Sequence, residues 1–270
     1  ATNIDIAKEL IDSGQYDVTL HSNGIGAVGV GLIPDSVTKG SPFADVRVRK
    51  AMCYSIDAEL LAKIFGKGYY TTTNQWGAPG AITYNPDVVG YPYNPEKARQ
   101  LLAEAGYPDG VKTKLFSNIP YKDLFTAIQA QLSTGGFDAE LILSDEAKIQ
   151  SLYFNTWEGG LMGHFHSVQP DLGLYMNRHL DPNGAFYAKG IIHPEDVLQL
   201  LKENQQAPNP EVKKETSMKL QKLVYDQYCI VGKPLYIPKA IFIKQKYVKD
   251  DGFHETHASS WTPGSTRIEK

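Results

Sequence analysis

The segment from Val111 to His166 constrains the fold most, because its hydrophobic period switches repeatedly between that of a strand and that of a helix. Side chains two apart share a strand face, whereas those three or four apart share a helix face. Strands are predicted over Val111–Phe116, Asp138–Leu143 and Gly160–His166, with helices over Tyr121–Ser133 and Asp145–Asn155 between them. Strands separated by helices of this size predict an α/β fold in which helices flank a mixed sheet. The chain has 270 residues, of which 42% are hydrophobic, enough for a substantial core.

Start and stop signals place the flanking elements. A short helix ending at Gly14 leads into a strand at Tyr16–Leu20. Helices are predicted over Ala44–Tyr54 and Asp57–Phe65, the second capped by Ser55 or Asp57 and stopped by Gly66. The clearest helix opens at Asn94-Pro95-Glu96, where asparagine caps, proline suits the first turn and glutamate favours the positive helix end; Gly106 closes it. Leu101, Leu102 and Ala105 form its apolar stripe. Similar openings start helices at Pro194–Asn204 and Pro210–Tyr228. The apolar stretch Pro234–Val248 reads as a strand pair or one strand kinked at Pro238, and the tail beyond it as polar and irregular. Between Lys67 and Tyr93 lies a long stretch rich in Gly, Pro, Asn, Thr and Tyr, expected to be an ordered loop packed on another element. No linker splits the chain, and its start at Ala1 rather than Met is expected of a processed or excised polypeptide.

Several chemistries find little support. A net charge of -3, with both signs well mixed, gives no basic face for nucleic acid. Gly24, Gly26 and Gly29 fit G-x-G-x-x-G, but a dinucleotide site needs a helix to begin inside the glycine run. Here alternation continues through Ile33 into Pro34, which reads as a strand. No G-x-S-x-G elbow or phosphate loop occurs, and no nucleophile–base grouping can be assembled, so a hydrolytic enzyme is a remote alternative. Cys53 and Cys229 lie far apart in sequence and are read as two isolated buried thiols in unreactive surroundings. A disulfide would require their Cα atoms within about 7 Å.

The stretch "GHFHSVQPD", Gly163 to Asp171, places His164 and His166 on one face of a strand, with Phe165 on the other, toward the core. Two imidazoles do not complete a zinc site, which takes three or four protein ligands. The second pair, His254 and His257, lacks the H-E-x-x-H spacing. Pocket lining, metal ligation and ordinary strand-end packing all remain open for the first pair.

Three stretches together resemble the family 5 extracellular solute-binding proteins of ABC transporters, the peptide, dipeptide and nickel-binding class. They are "SPFADVRVRKAMCYSID" from Ser41, "YNPDVVGYPYNPEKARQLLAEAGYPDG" from Tyr84 and "PLYIPKAIFIKQKYV" from Pro234. The resemblance covers nearly the whole chain but only the family's C-terminal half. It implies one lobe of a type II periplasmic-binding-protein-like fold, whose complete form closes two lobes on a ligand. Residues 1–33 would lead from an inter-lobe crossing, 34–248 would form the ligand-binding lobe, and 249–270 would pack on the missing N-terminal lobe.

The same resemblance implies a substrate-binding component with no enzymatic activity and no cofactor. It would capture a peptide or peptide-like small ligand and deliver it to ABC transporter permease subunits. Its location would be extracytoplasmic, as a periplasmic protein or a membrane-anchored lipoprotein. Peptide-binding members carry an aspartate four residues before the proline of the "GHFHSVQPD" stretch, where it pairs with the ligand's ammonium group. Here that position is His166, which cannot supply the same charge, although Asp171 stands nearby in sequence. The expected ligand-binding residues are Gln75, Trp76, His164, His166, Gln169 and Asp171. For Trp76 two roles stay open, a flat wall for the ligand or a core anchor for its loop. A metal chelate or haem-like ligand held by His164 and His166 is the alternative cargo.

Overall fold

The computed structural model describes residues 4–21, 28–77, 84–167, 171–232, 234–238, 240–249 and 266–269. In chain order the described helices are α1 (Ile4–Asp12), α2 (Val46–Tyr54), α3 (Ala58–Gly66), α4 (Pro95–Glu104), α5 (Lys122–Thr134), α6 (Glu146–Tyr153), α7 (Leu172–Leu180), α8 (Glu195–Gln205) and α9 (Pro210–Gln221). The described strands are β1 (Tyr16–His21), β2 (Val28–Pro34), β3 (Tyr70–Thr72), β4 (Val111–Asn118), β5 (Phe137–Ser144), β6 (Leu161–Ser167), β7 (Pro234–Pro238), β8 (Ala240–Gln245), β9 (Val248–Lys249) and β10 (Arg267–Ile268).

Six strands form a mixed sheet in the order β3-β7-β2-β6-β4-β5. Strand β4 runs parallel to β5 and β6, whereas β2 runs antiparallel to β6 and β7. The parallel half is the part in which helices α5 and α6 separate the strands, as a crossover connection requires. Strand alternation feeds two cores. Val30, Leu32, Leu115 and Leu161 join the first, with Met52, Leu102, Phe125 and Phe137. Ile33, Phe116 and Met162, their immediate neighbours in sequence, join the second, with Trp157, Met176, Leu201 and Val224. The sheet is therefore covered on both faces. Gly163 permits that closeness, since a Cβ there would lie 2.3 Å from the Phe125 ring.

The start signals hold where a side chain can close the helix end. Asn94 accepts from the Lys97 N–H with Pro95 in the first turn, and Asp57, Asp145 and Asn209 cap α3, α6 and α9 in the same way. Gly14 and Gly106 take the left-handed conformation, at φ +65° and +95°. Helix α3 departs from expectation. Gly66 is its last residue, and the left-handed cap is Lys67 at φ 46°. In α4 the fully buried positions are Ala98 and Leu102, while Leu101 and Ala105 are only half-buried.

Other expectations need correction. Helix α7 lies where no element was expected, started by Asp171, whose carboxylate accepts from the Leu174 N–H at 3.0 Å. The single helix expected over Pro210–Tyr228 ends at Gln221 and opens into a π-helical turn over Lys222–Gln227. The segment after Pro234 does form two strands, but they belong to different sheets: β7 pairs with β2 and β3, and β8 with β1. The polar tail is not wholly irregular, because Arg267 and Ile268 pair with Lys249 and Val248. Nor are the cysteines isolated: the buried Sγ atoms of Cys53 and Cys229 lie 3.2 Å apart.

At the end of β2, the wholly buried Asp35 organises the sheet's centre. Its carboxylate accepts from the N–H groups of Trp157 and Gly159, both at 2.9 Å, and from the N–H (3.0 Å) and hydroxyl (2.7 Å) of Thr38. It thereby joins the exit of β2 to the turn that enters β6. An Asp35→Ala substitution would leave these buried donors unsatisfied, at 1–3 kcal/mol for a group fully stripped of its partner. We expect it to lower the unfolding free energy by about 3 kcal/mol, read from the urea midpoint.

Candidate functional site

Of the residues singled out by sequence, His164 and His166 lie in the far half of β6, and Gln75 and Trp76 in the long loop that packs behind it. In β6, His164 lies opposite Gly31 of β2, His166 opposite Gly29 and Ser167 opposite Val28. Phe165 packs against Tyr121 at a ring separation of 4.2 Å, on the face away from His164, as strand alternation requires.

His164 sits in an aromatic box. Its ring is stacked on Trp76 at 5.2 Å and on Tyr153 at 5.6 Å, and meets the edge of His179 at 5.6 Å. Tyr175 closes the box, with its ring 4.4 Å from His179 and 5.1 Å from Trp76. Tyr153 Oη lies 2.5 Å from His179 Nδ1. Trp76 is 2% exposed and His164 5%. Trp76 is thus the anchor of its loop, and His164 is enclosed by this chain's own side chains.

The described parts of the long loop, 67–77 and 84–93, are held to each other and to the rest of the fold by hydrogen bonds. Gln75 and Asn85 clamp its base: Gln75 Nε2 donates to the Asn85 carbonyl at 2.7 Å, and the Asn85 N–H donates to Gln75 Oε1 at 2.9 Å. The π-helical turn supplies the rest of the seat. Tyr225 Oη accepts from the Trp76 N–H at 2.8 Å, Asp226 accepts from the N–H groups of Val89 and Gly90, and Tyr91 donates to the carbonyls of Tyr225 and Asp226. The sequence read this loop as ordered, but nothing in it pointed to a π-helical platform.

The six expected residues therefore separate. Gln75, Trp76 and His164 form the buried support just described. Asp171 caps α7 and pairs with Lys213 at 2.6 Å, which ties α7 to α9. His166 occupies the last turnless stretch of β6, one residue before its end. Gln169 lies outside the described residues, as do His254 and His257. Among the described residues no group of three His, Cys, Asp or Glu side chains could hold a metal ion. A groove of about 570 Å³, lined in part by Asp57, Glu59, Asn74, Tyr91 and Tyr93, opens elsewhere and contains none of the six.

Burial sets the chemistry of the box. It pushes the hydroxyls of Tyr153 and Tyr175 well above the usual tyrosine range, so both stay protonated donors. Burial, helped by the neighbouring Arg178 guanidinium, pushes His179 down to about 4. Near neutral pH Tyr153, Tyr175 and His179 are thus uncharged aromatic groups packed around His164. Sequence reasoning missed Tyr153, Tyr175, His179 and Tyr225, which are distant in sequence and converge only through the fold.

Comparison with known proteins decides the family. The family described as "Bacterial extracellular solute-binding proteins, family 5 Middle" matches residues 7–184. The chain belongs to this family. Heme-binding protein A of Haemophilus influenzae is 38% identical over 112 residues, which span 42% of this chain and 19% of that protein. Glutathione-binding protein GsiB of Salmonella choleraesuis is 27% identical over 224 residues, spanning 76% of this chain and 42% of GsiB. Among solved structures, the periplasmic binding protein DppA of Helicobacter pylori, in complex with the peptide STSA, superposes with a TM-score of 0.78 at 21% identity. That match covers the whole of this chain and 52% of DppA, and it establishes the type II periplasmic-binding-protein-like fold. This family member thus spans less than half of the curated relatives and about half of the solved one.

His179 gives the site a pH signature. An unfolded histidine titrates near 6.5, whereas folded His179 titrates at about 4. Between those values the unfolded chain binds more protons, so stability is full above the upper value and falls as pH drops through the window. From pH 7 to pH 5 we expect a loss on the order of 2 kcal/mol from this residue. Chemical denaturation of a His179→Gln variant beside the parent should show a flatter dependence.

Proposed function

We propose that this chain is one jaw of the substrate-binding component of an ABC importer. The complete protein grips a peptide or peptide-like small ligand between two lobes and delivers it to membrane permease subunits outside the cytoplasm. The observation that carries this reading is the division of neighbouring strands between two sheets. Strands β2 and β7 lie in the large sheet, while β1 and β8, their neighbours in sequence, pair with each other in a separate one. The chain thus crosses between sheets twice, before Val28 and after Pro238, as a hinged pair of lobes requires. Family membership and the names of the relatives support the same reading.

In this reading the division expected at 33/34 and 248/249 shifts to the sheet crossings: β1 approaches the hinge, β2 to β7 form the jaw, β8 makes the return, and 249–270 pack on a first lobe. The ligand lies across the ends of β2 and β6, near the crossing. His166, Gln169 and the loop that follows form this jaw's contact, and the buried box of Trp76, His164, Tyr153 and Tyr175 keeps the strand end rigid beneath it. Closure is a population shift, favoured by a ligand that touches both jaws in the closed state. No step of the cycle calls for bond-making on the protein, and the protein acts as a receptor rather than an enzyme. Lipid anchoring would keep such a receptor near its permease.

A second cargo has its own support. The position that carries the ammonium-pairing acid in peptide binders is His166, an imidazole, and a curated relative is named for heme binding. A metal chelate or haem-like ligand would take the imidazole lone pair as a metal ligand, whereas to a peptide ammonium the ring offers an acceptor without the opposite charge. Calorimetric titration of the complete two-lobed protein with short peptides, beside absorbance titration with haem, separates the two. Saturable heat from a peptide supports the first cargo. A haem spectrum that loses at least tenfold in affinity on His166→Ala supports the second. Saturable binding of neither would overturn both.

A further inference from the structure

The cysteines lie away from the strand end that the proposed function uses. Cys53 belongs to α2, and Cys229 stands between the π-helical turn and β7. Both are completely buried, 176 residues apart in sequence, with their Sγ atoms 3.2 Å apart. The surrounding contacts press them together. Arg49, one turn before Cys53 on α2, donates through Nε and Nη2 to the carbonyl of Tyr228, at 3.0 and 2.7 Å. Its remaining nitrogen donates to the carbonyls of Phe43 and Ala44. The residue next to Cys229 is therefore clamped to the helix that carries Cys53.

Cys229 itself is held at φ +48°, a conformation that costs a non-glycine residue energy and persists only where the surroundings impose it. Burial works against its thiolate. The Cys53 thiol, the Arg49 guanidinium and the Tyr91 hydroxyl outweigh that effect and hold Cys229 below the usual thiol range. The sequence reading of isolated thiols fails because α2 and the segment before β7 meet only in the fold.

We propose that Cys53 and Cys229 are an oxidative cross-linking site, whose disulfide staples α2 to the approach of β7. The sulfurs need to close by about 1.2 Å to reach a disulfide bond length of about 2.0 Å, within reach of side-chain rotation. The oxidant is a disulfide donor, either a small-molecule disulfide or a protein disulfide. The Cys229 thiolate attacks one donor sulfur, forming a mixed disulfide and releasing one donor thiolate. Cys53 gives up its proton to solvent and attacks Cys229 Sγ, which breaks the mixed disulfide and releases the second donor thiolate. In all, the two cysteine thiols lose two electrons and two protons, and the donor disulfide becomes two thiols. Because both sulfurs are buried, exchange is confined to folding or local opening, after which the fold shields the bond from reductant.

The test refolds the unmodified chain from denaturant with glutathione disulfide as donor and, in parallel, with excess dithiothreitol. Alkylation in denaturant and digestion without reduction follow, read by mass spectrometry. We expect the oxidised product to be lighter by about 2 Da before alkylation, to take up no alkyl group, and to yield one linked peptide pair containing Cys53 and Cys229. Its thermal midpoint should exceed that of the reduced product by about 5–10 °C. In a Cys53→Ala, Cys229→Ala double variant the midpoint should not depend on the redox condition. Two alkylated cysteines in the oxidised product, a cross-link that leaves the midpoint unchanged or lower, or a redox-dependent midpoint in the double variant would each overturn the proposal. None of these readouts involves a ligand, so they stand apart from the test of transport function.

Discussion

The buried carboxylate of Asp35 is the contact on which the centre of the sheet depends. A charge removed from water is tolerated only where polar partners replace its hydration, and Asp35 finds backbone N–H groups of the turn before β6 together with both donors of Thr38. That turn sets where β6 begins, and the register of β6 on β2 then decides which of its residues enter which core. A slip of one residue would exchange Phe165 and His164 between the faces. The aromatic box, the order of the long loop and the position of His166 all follow from this one junction.

How much of this was legible depends on whether the signal was local. The opening of α4 could be read directly, because Asn94, Pro95 and Glu96 act on their own helix end. The strand and helix alternation after Val111 survived with boundaries moved by one or two residues, since it reflects burial on two faces. Helix α7 was missed because Asp171 was read only as a ligand contact although its carboxylate also caps the helix, and because Gly173 weakens the helical pattern just after it. The π-helical turn was missed because its cause is remote. It widens the helix where Tyr225 and Asp226 must meet the loop around Trp76 and Gly90.

The candidate site was legible as a place but not as a division of labour. Adjacent letters in the sequence, Gln75 and Trp76 or His164 and His166, suggested one ligand-binding set. In the fold, Gln75 serves its loop and Trp76 stacks on His164, both wholly inside. Tyr153, Tyr175 and His179 supply the other walls from α6 and α7. Buried aromatic rings with polar tips that find partners make a close-packed layer at low desolvation cost.

The clamp between Gln75 and Asn85 has an evolutionary reading. Two reciprocal amide bonds seal the neck of this segment, and Trp76 just inside it is fixed in the aromatic box. Lengthening a closed loop adds only about 0.6 kcal/mol per doubling. Length changes within residues 78–83 therefore carry little closure cost, whereas a change at Trp76 removes a wall of the box, so lineages have a cheap place to diversify beside a costly one.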